Sequence, residues 1–165
     1  MLTAISIVCG KYLAIRGGDI MRFSLENMPI IFAGMTFGPV AGLLVGLVAD
    51  LVGCLMVGYT VNPIVTLGAA AIGLISGGVP LILKRFQLNG AIATVITVAV
   101  AHLIGSVLIK TLGLSAYYDM PFILLMLWRL LNYAIVGTID AVLVHIMMNN
   151  KGIRMQINRL KGEEK

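Results

Sequence analysis

At 165 residues, of which 59% are hydrophobic and 12% charged, the chain lies far outside the roughly 45–50% apolar and 25% charged make-up of a soluble globular domain. It reads as an integral membrane protein with room for about six spans of roughly 20 residues and none for a second folded domain. The net charge of +5 does not point to nucleic acid: the cations gather in one connection (Lys84, Arg85) and in the tail (Lys151, Arg154, Arg159, Lys161, Lys165), as in loops held on the cytoplasmic side.

In chain order, residues 2–15 predict a first helix, broken by Lys11. It has no basic leader or small-residue cleavage site, so it reads as a retained helix rather than a signal peptide. Ser6, Gly10 and Ala14 recur every fourth residue, a small-residue stripe that lets another helix approach closely, from this chain or from a partner. Residues 16–24 form a pliable outside loop around Gly17-Gly18, suited to act as a lid.

A second helix over 26–37 and a third over 39–57 flank Phe37-Gly38-Pro39, where Pro39 fits a first helical turn and its predecessor is pushed out of helical geometry. The connection 58–63 offers Tyr59, Thr60 and Asn62, and Pro63 opens a fourth helix, 63–83. Asn89-Gly90 turns into a fifth, 91–112. An aromatic, acidic outside loop, 113–121, leads to a sixth, 122–148, and then a basic cytoplasmic tail, 149–165. The expected fold is a single all-α membrane domain, residues 1–165, with six transmembrane helices and both termini cytoplasmic.

Position converts into depth at about 1.5 Å per helical residue. Counted from the helix ends, Asp50 lies about 17 Å up its helix, His102 about 20 Å up, Arg129 about 12 Å down and Asn132 about 17 Å down. Residues from three helices thus fall in the outer half or near the centre and can share one cavity. An ionisable residue at such depth is a functional-site hypothesis, although Asp50 could instead pair with Arg129 or Lys11, and His102 could be a structural histidine. Asp140 reads as a helix-packing or interfacial acid near the inner end of its helix.

No motif carries enzyme chemistry. Cys9 and Cys54 lack CxxC spacing, His102 and His145 lie at opposite depths, and there is no GxSxG or HExxH. Without GxxxxGK[ST] the chain cannot hydrolyse ATP by that route. Neither a metal nor a cofactor is expected.

The run Ser24-Leu25-Glu26-Asn27-Met28-Pro29-Ile30-Ile31, followed by Ala33-Gly34, Phe37-Gly38-Pro39, Gly42, Gly46 and Ala49-Asp50-Leu51-Val52-Gly53, resembles the substrate-binding S component of energy-coupling factor vitamin transporters, most closely the folate-type branch. The resemblance implies a vitamin-capturing subunit in a bacterial plasma membrane. A separate transmembrane coupling subunit and two ATPases would supply the work, and the Ser6–Gly10–Ala14 stripe would be the docking face. Other heterocyclic vitamins, or a self-sufficient small-solute transporter, are the competing readings.

A folate-like ligand needs a flat slot, polar groups for its ring edge and cations for its carboxylates. Phe23, Tyr59, Tyr117, Tyr118 and Trp128 can supply aromatic faces, unless the tyrosines and Trp128 form an interfacial belt. Asn27, Asn62, Asn132 and Asp119 can read amide and amine edges. Arg22, with Arg16 or Lys11, would hold the carboxylates, an arginine doing so in a bidentate fork. His102 and Arg129 complete the expected substrate-binding set.

Overall fold

Short apolar runs punctuated by glycine and proline become helices wherever those breaks allow. In a computed structural model the structure describes residues 1–17, 21–118 and 121–162, with the side chains of residues 15–17, 21, 22, 118 and 161 outside the description. Helix α1 runs from Leu2–Ile7 into a π-helical turn, Val8–Tyr12. Two short strands follow, β1 (Ile15–Gly17) and β2 (Met21–Phe23), paired antiparallel with Arg16 opposite Arg22. Then come α2 (Asn27–Phe37), α3 (Pro39–Val57) and α4 (Pro63–Leu83), the last closing in a 3-10 turn at Lys84–Phe86.

Helix α5 begins as Gly90–Ala101, widens into a π-helical stretch over His102–Ile109 and ends as Lys110–Tyr118. Helix α6 (Phe122–Asn149) and a separate α7 (Lys151–Lys161) complete the chain. This connectivity defines two ends. The ribbon, the α3–α4 connection and the α5–α6 connection mark the ribbon end; α7 and the Lys84–Phe86 turn mark the tail end.

Proline and glycine set the helix starts. Pro39 and Pro63 occupy first-turn positions, where a missing N–H costs nothing, and Gly38 makes the α2–α3 corner with φ +98. Glycine also sets how closely α2, α3 and α4 pack. A Cβ on Gly73 would overlap the Gly42 carbonyl, and one on Gly46 would overlap the Ala69 carbonyl. With no water to expel between helices in lipid, such close backbone approach supplies much of the packing energy. Ile30, Ile31, Phe32, Ile72, Val98, Ala101, Ala141 and Val144 fill the core beside this contact.

The expected helix order is present, with local corrections. Among the described residues four helices are long and apolar enough to cross a membrane, Pro39–Val57, Pro63–Phe86, Gly90–Tyr117 and Phe122–Asn149, whereas Leu2–Tyr12 and Asn27–Phe37 are shorter. The first helix ends at Tyr12 rather than residue 15, because the chain leaves it to pair as β1 and satisfies its backbone there. The expected loop 113–121 is helical through Tyr118. Gly113 does not end the helix but allows the first turn of α4 to approach, its Cβ position lying 3.0 Å from Ile64 Cβ. The basic tail is largely helical as well.

Candidate functional site

Polar residues from α1 to α6 turn inward below the ribbon and gather in two clusters. Glu26, at the entry to α2, anchors the first cluster. Its carboxylate lies 3.1 Å from the Lys110 ammonium of α5, and its backbone carbonyl accepts a 2.6 Å bond from Ser6 Oγ of α1. Lys110 is only 3% exposed. On α3, Asp50 accepts a 2.7 Å bond from Thr66 Oγ1 of α4. Lys11 reaches within 3.7 Å of Cys54 Sγ, and its ammonium stands 5.7 Å from the centroid of the Tyr59 ring. Ser6, Lys11, Glu26, Asp50 and Lys110 line a cavity of about 10 Å³, room for about one water.

The second cluster is a chain of hydrogen bonds. Asp140 Oδ2 lies 3.0 Å from His102 Nε2, and His102 Nδ1 lies 3.4 Å from Ser106 Oγ. Ser106 Oγ in turn accepts from Asn27 Nδ2 at 3.4 Å, joining this cluster to the residue after Glu26. Tyr133 stacks on His102 with ring centroids 4.9 Å apart. Arg129 Nε donates to the Ser106 carbonyl at 3.0 Å, and its outer nitrogen reaches Tyr133 Oη at 3.4 Å. The α5 side of this cluster coincides with the π-helical stretch, a distortion frequent at functional sites.

Among the described residues, the acceptors Asn27 Oδ1 and Asp140 Oδ1 and the hydroxyl of Thr111 are buried without a hydrogen-bond partner. Asn27 is 0% exposed. An unmet buried acceptor is costly, so these atoms mark where a donor, from water or solute, would be stabilised.

The structure gathers some of the expected site residues and separates others. Asn27, His102 and Arg129 meet around Ser106. Asn132 is half-buried on α6, one turn after Arg129, and Phe23 is half-buried in β2, which runs beside α6. Asn62 is otherwise engaged: its Oδ1 caps α4 through Ile64 N (3.0 Å) and Val65 N (3.3 Å), while its Nδ2 holds the Gly113 carbonyl at 2.8 Å. It caps α4 and ties its start to α5. Tyr59, Tyr117 and Trp128 are at the surface. Asp119 and the side chains of Arg16, Arg22 and Tyr118 lie outside the described residues.

Three readings that the sequence left open are narrowed by the structure. Asp50 bonds Thr66, not Arg129, which is held on α5 and Tyr133. Asp140 is fully buried against His102, a packing acid rather than an interfacial one. The stripe of Ser6, Gly10 and Ala14 does not face outward. Ser6 and Gly10 pack on Glu26, a Cβ on Gly10 falling 2.6 Å from its Oε2, and Ala14 lies past the end of the helix.

Sequence reasoning passed over Lys110, Ser106 and Glu26 as partners. The signal was there: His102, Ser106 and Lys110 recur every fourth residue, placing three polar groups on one face of an otherwise apolar helix. A larger groove of about 580 Å³ runs between α5 and α6, but apart from His102, Tyr133, Thr138 and His145 its walls are aliphatic. It does not suit a polar heterocycle.

Long apolar helices around an interior of paired charges and hydrogen bonds are the make-up of an integral membrane protein. Residues 1–148 match the family described as "ECF transporter, substrate-specific component", and the chain belongs to that family. Among solved structures, the fold is similar to a crystal structure of FolT bound with folic acid (TM-score 0.68, 23% identity, covering 87% of this chain and 86% of that one). It is also similar to the S-component for biotin from an ECF-type ABC transporter (TM-score 0.66, 18% identity, 93% and 90% covered). No curated protein matches the chain in sequence.

Proposed function

We propose that this chain is the vitamin-capturing subunit of an ECF-type importer in a bacterial plasma membrane, and that its vitamin is folate. The reading takes residues 1–165 as one domain whose helices cross the membrane six times, with the ribbon end outside and both termini cytoplasmic. A transmembrane coupling subunit and two ATPases drive release. The folate assignment is supported by the Ser24–Ile31 run and by the folic acid bound to FolT, a structural neighbour.

The observation that carries the reading is the polarity of the interior beneath the ribbon. Glu26 and Asn27 present acceptors, which suit the amine and amide donors of a pterin edge. The ribbon above them places Arg16 and Arg22 as cross-strand partners, which suits a glutamate tail. The pterin therefore enters first and the carboxylates stay at the ribbon. Because the present cavity holds about one water, binding requires the ribbon and its neighbours to part, the work of a lid.

Mass spectrometry of the small molecule retained through gentle purification tests this reading, followed by titration of folate against Trp128 fluorescence. Retained folate and a saturable signal support it. Biotin in its place would favour the second reading, another vitamin of the same class, for which the biotin S-component's fold similarity is the supporting observation.

A further inference from the structure

Helix α7 plays no part in the reading above and lies beyond residues 1–148 matched by the family. It is a defined element rather than a fraying end. Asn150 leaves α6 in extended backbone and caps α7, its Oδ1 accepting from Gly152 N at 2.9 Å and Ile153 N at 3.4 Å, and Gly162 closes the helix with φ +70. At 3.6 residues per turn, Ile153, Ile157 and Leu160 share one side, and Lys151, Arg154 and Arg159 the other.

The two sides meet different surroundings. Ile153 and Ile157 pack against the core at the tail end, whereas Leu160 is 74% exposed, so the apolar side continues past the edge of the bundle. Lys151, Arg154 and Arg159 are all exposed, as are Arg85 and Phe86 in the turn at the same end. Among the described residues, no acidic side chain lies on α7 or on that turn.

We infer that α7 is an interfacial helix that binds anionic phospholipid headgroups. Membrane-spanning α6 ends at Asn149, only two residues before α7 begins, so α7 starts at the depth where the headgroup layer lies. An amphipathic helix there lays its apolar side into the acyl boundary and its cations among the phosphates. Leu160 then enters lipid instead of water, and Lys151, Arg154 and Arg159 meet a surface of opposite charge. A soluble acidic protein would complement the cations but would leave no reason for an apolar side that overhangs the bundle.

The test uses the full chain in lipid nanodiscs made either of phosphatidylcholine alone or of equal parts phosphatidylcholine and phosphatidylglycerol. With Cys9→Ala and Cys54→Ala removing the native thiols, Leu160→Cys is labelled by a water-soluble maleimide. Labelling several-fold slower with phosphatidylglycerol is expected, and the difference should vanish when Lys151, Arg154 and Arg159 are all changed to glutamine. Hydrogen exchange of the 151–161 amides in the unaltered chain gives the same comparison if the cysteine variant does not fold. Equal rates in both lipids, or a difference that survives the glutamine changes, would overturn the inference. So would protection that appears only with added soluble coupling proteins, which would assign the surface to a protein partner.

Discussion

The Lys110 ammonium lies 3.1 Å from Glu26 Oε1 and joins α5 to the entry of α2, two positions 84 residues apart in the chain. The pair is lopsided, with 4% of the Lys110 side chain exposed against 20% for Glu26. Loss of Glu26 would strand a nearly buried cation, while loss of Lys110 leaves a carboxylate that is more open to solvent. Glu26→Gln should therefore cost more stability than Lys110→Met, on the order of 1.5–3 kcal/mol for a charged hydrogen bond. Thermal unfolding of both ligand-free variants in detergent measures this, and a larger loss in Lys110→Met would reverse the argument.

Asn62 separates a structural role from a binding one. Its side chain satisfies two α4 amides and the Gly113 carbonyl, so Asn62→Ala should destabilise the chain by about 1 kcal/mol or somewhat more. Vitamin affinity should stay at the wild-type value when titrated below the unfolding range. A large affinity loss would return Asn62 to the site.

Two glycines of α4 should respond in opposite directions. Gly73→Ala drives a methyl into the Gly42 backbone, and overpacking of that kind costs about 1–3 kcal/mol. Nothing lies within 4 Å of a Cβ on Gly78, so Gly78→Ala should stabilise the helix by up to about 1 kcal/mol through lower backbone entropy. Paired melting curves decide, and matched shifts would mean that the α3–α4 contact is looser than described.

Helix order was legible because apolar runs of membrane length, stopped by Phe37-Gly38-Pro39, Asn62-Pro63 and Asn89-Gly90, leave few alternatives. Helix ends were less so. Gly113 carries the same local signal whether it ends a helix or admits a neighbour, and only the position of α4 separates the two. Depth counting brought His102 and Arg129 into one region, but the position of Asp140 toward the far end of its helix did not reveal that it would meet His102. The Glu26–Lys110 pair could not be read from the chain, since a long-range ion pair leaves no local spacing. The stripe of Ser6 and Gly10 was visible, but which way it faced was not: small residues suit an inner contact as well as an outer one.

The ribbon makes a separate prediction. If the glutamate tail of folate stays beside Arg16 and Arg22, Arg22→Ala should weaken folate by about 10-fold or more, the loss of one charge-assisted contact, and leave a tail-less pterin unaffected. Parallel titrations of the two ligands measure this. Equal losses for both would move the tail away from the ribbon.

The central claim is that Glu26 and its neighbours receive the ring edge of the vitamin. It is tested most directly by calorimetric titration of folate and of the tail-less pterin into Glu26→Gln, at a temperature where its melting curve places it fully folded. The account predicts that both ligands weaken together, by about 10-fold or more for one charged hydrogen bond. Wild-type affinity for both ligands in the folded variant would contradict it.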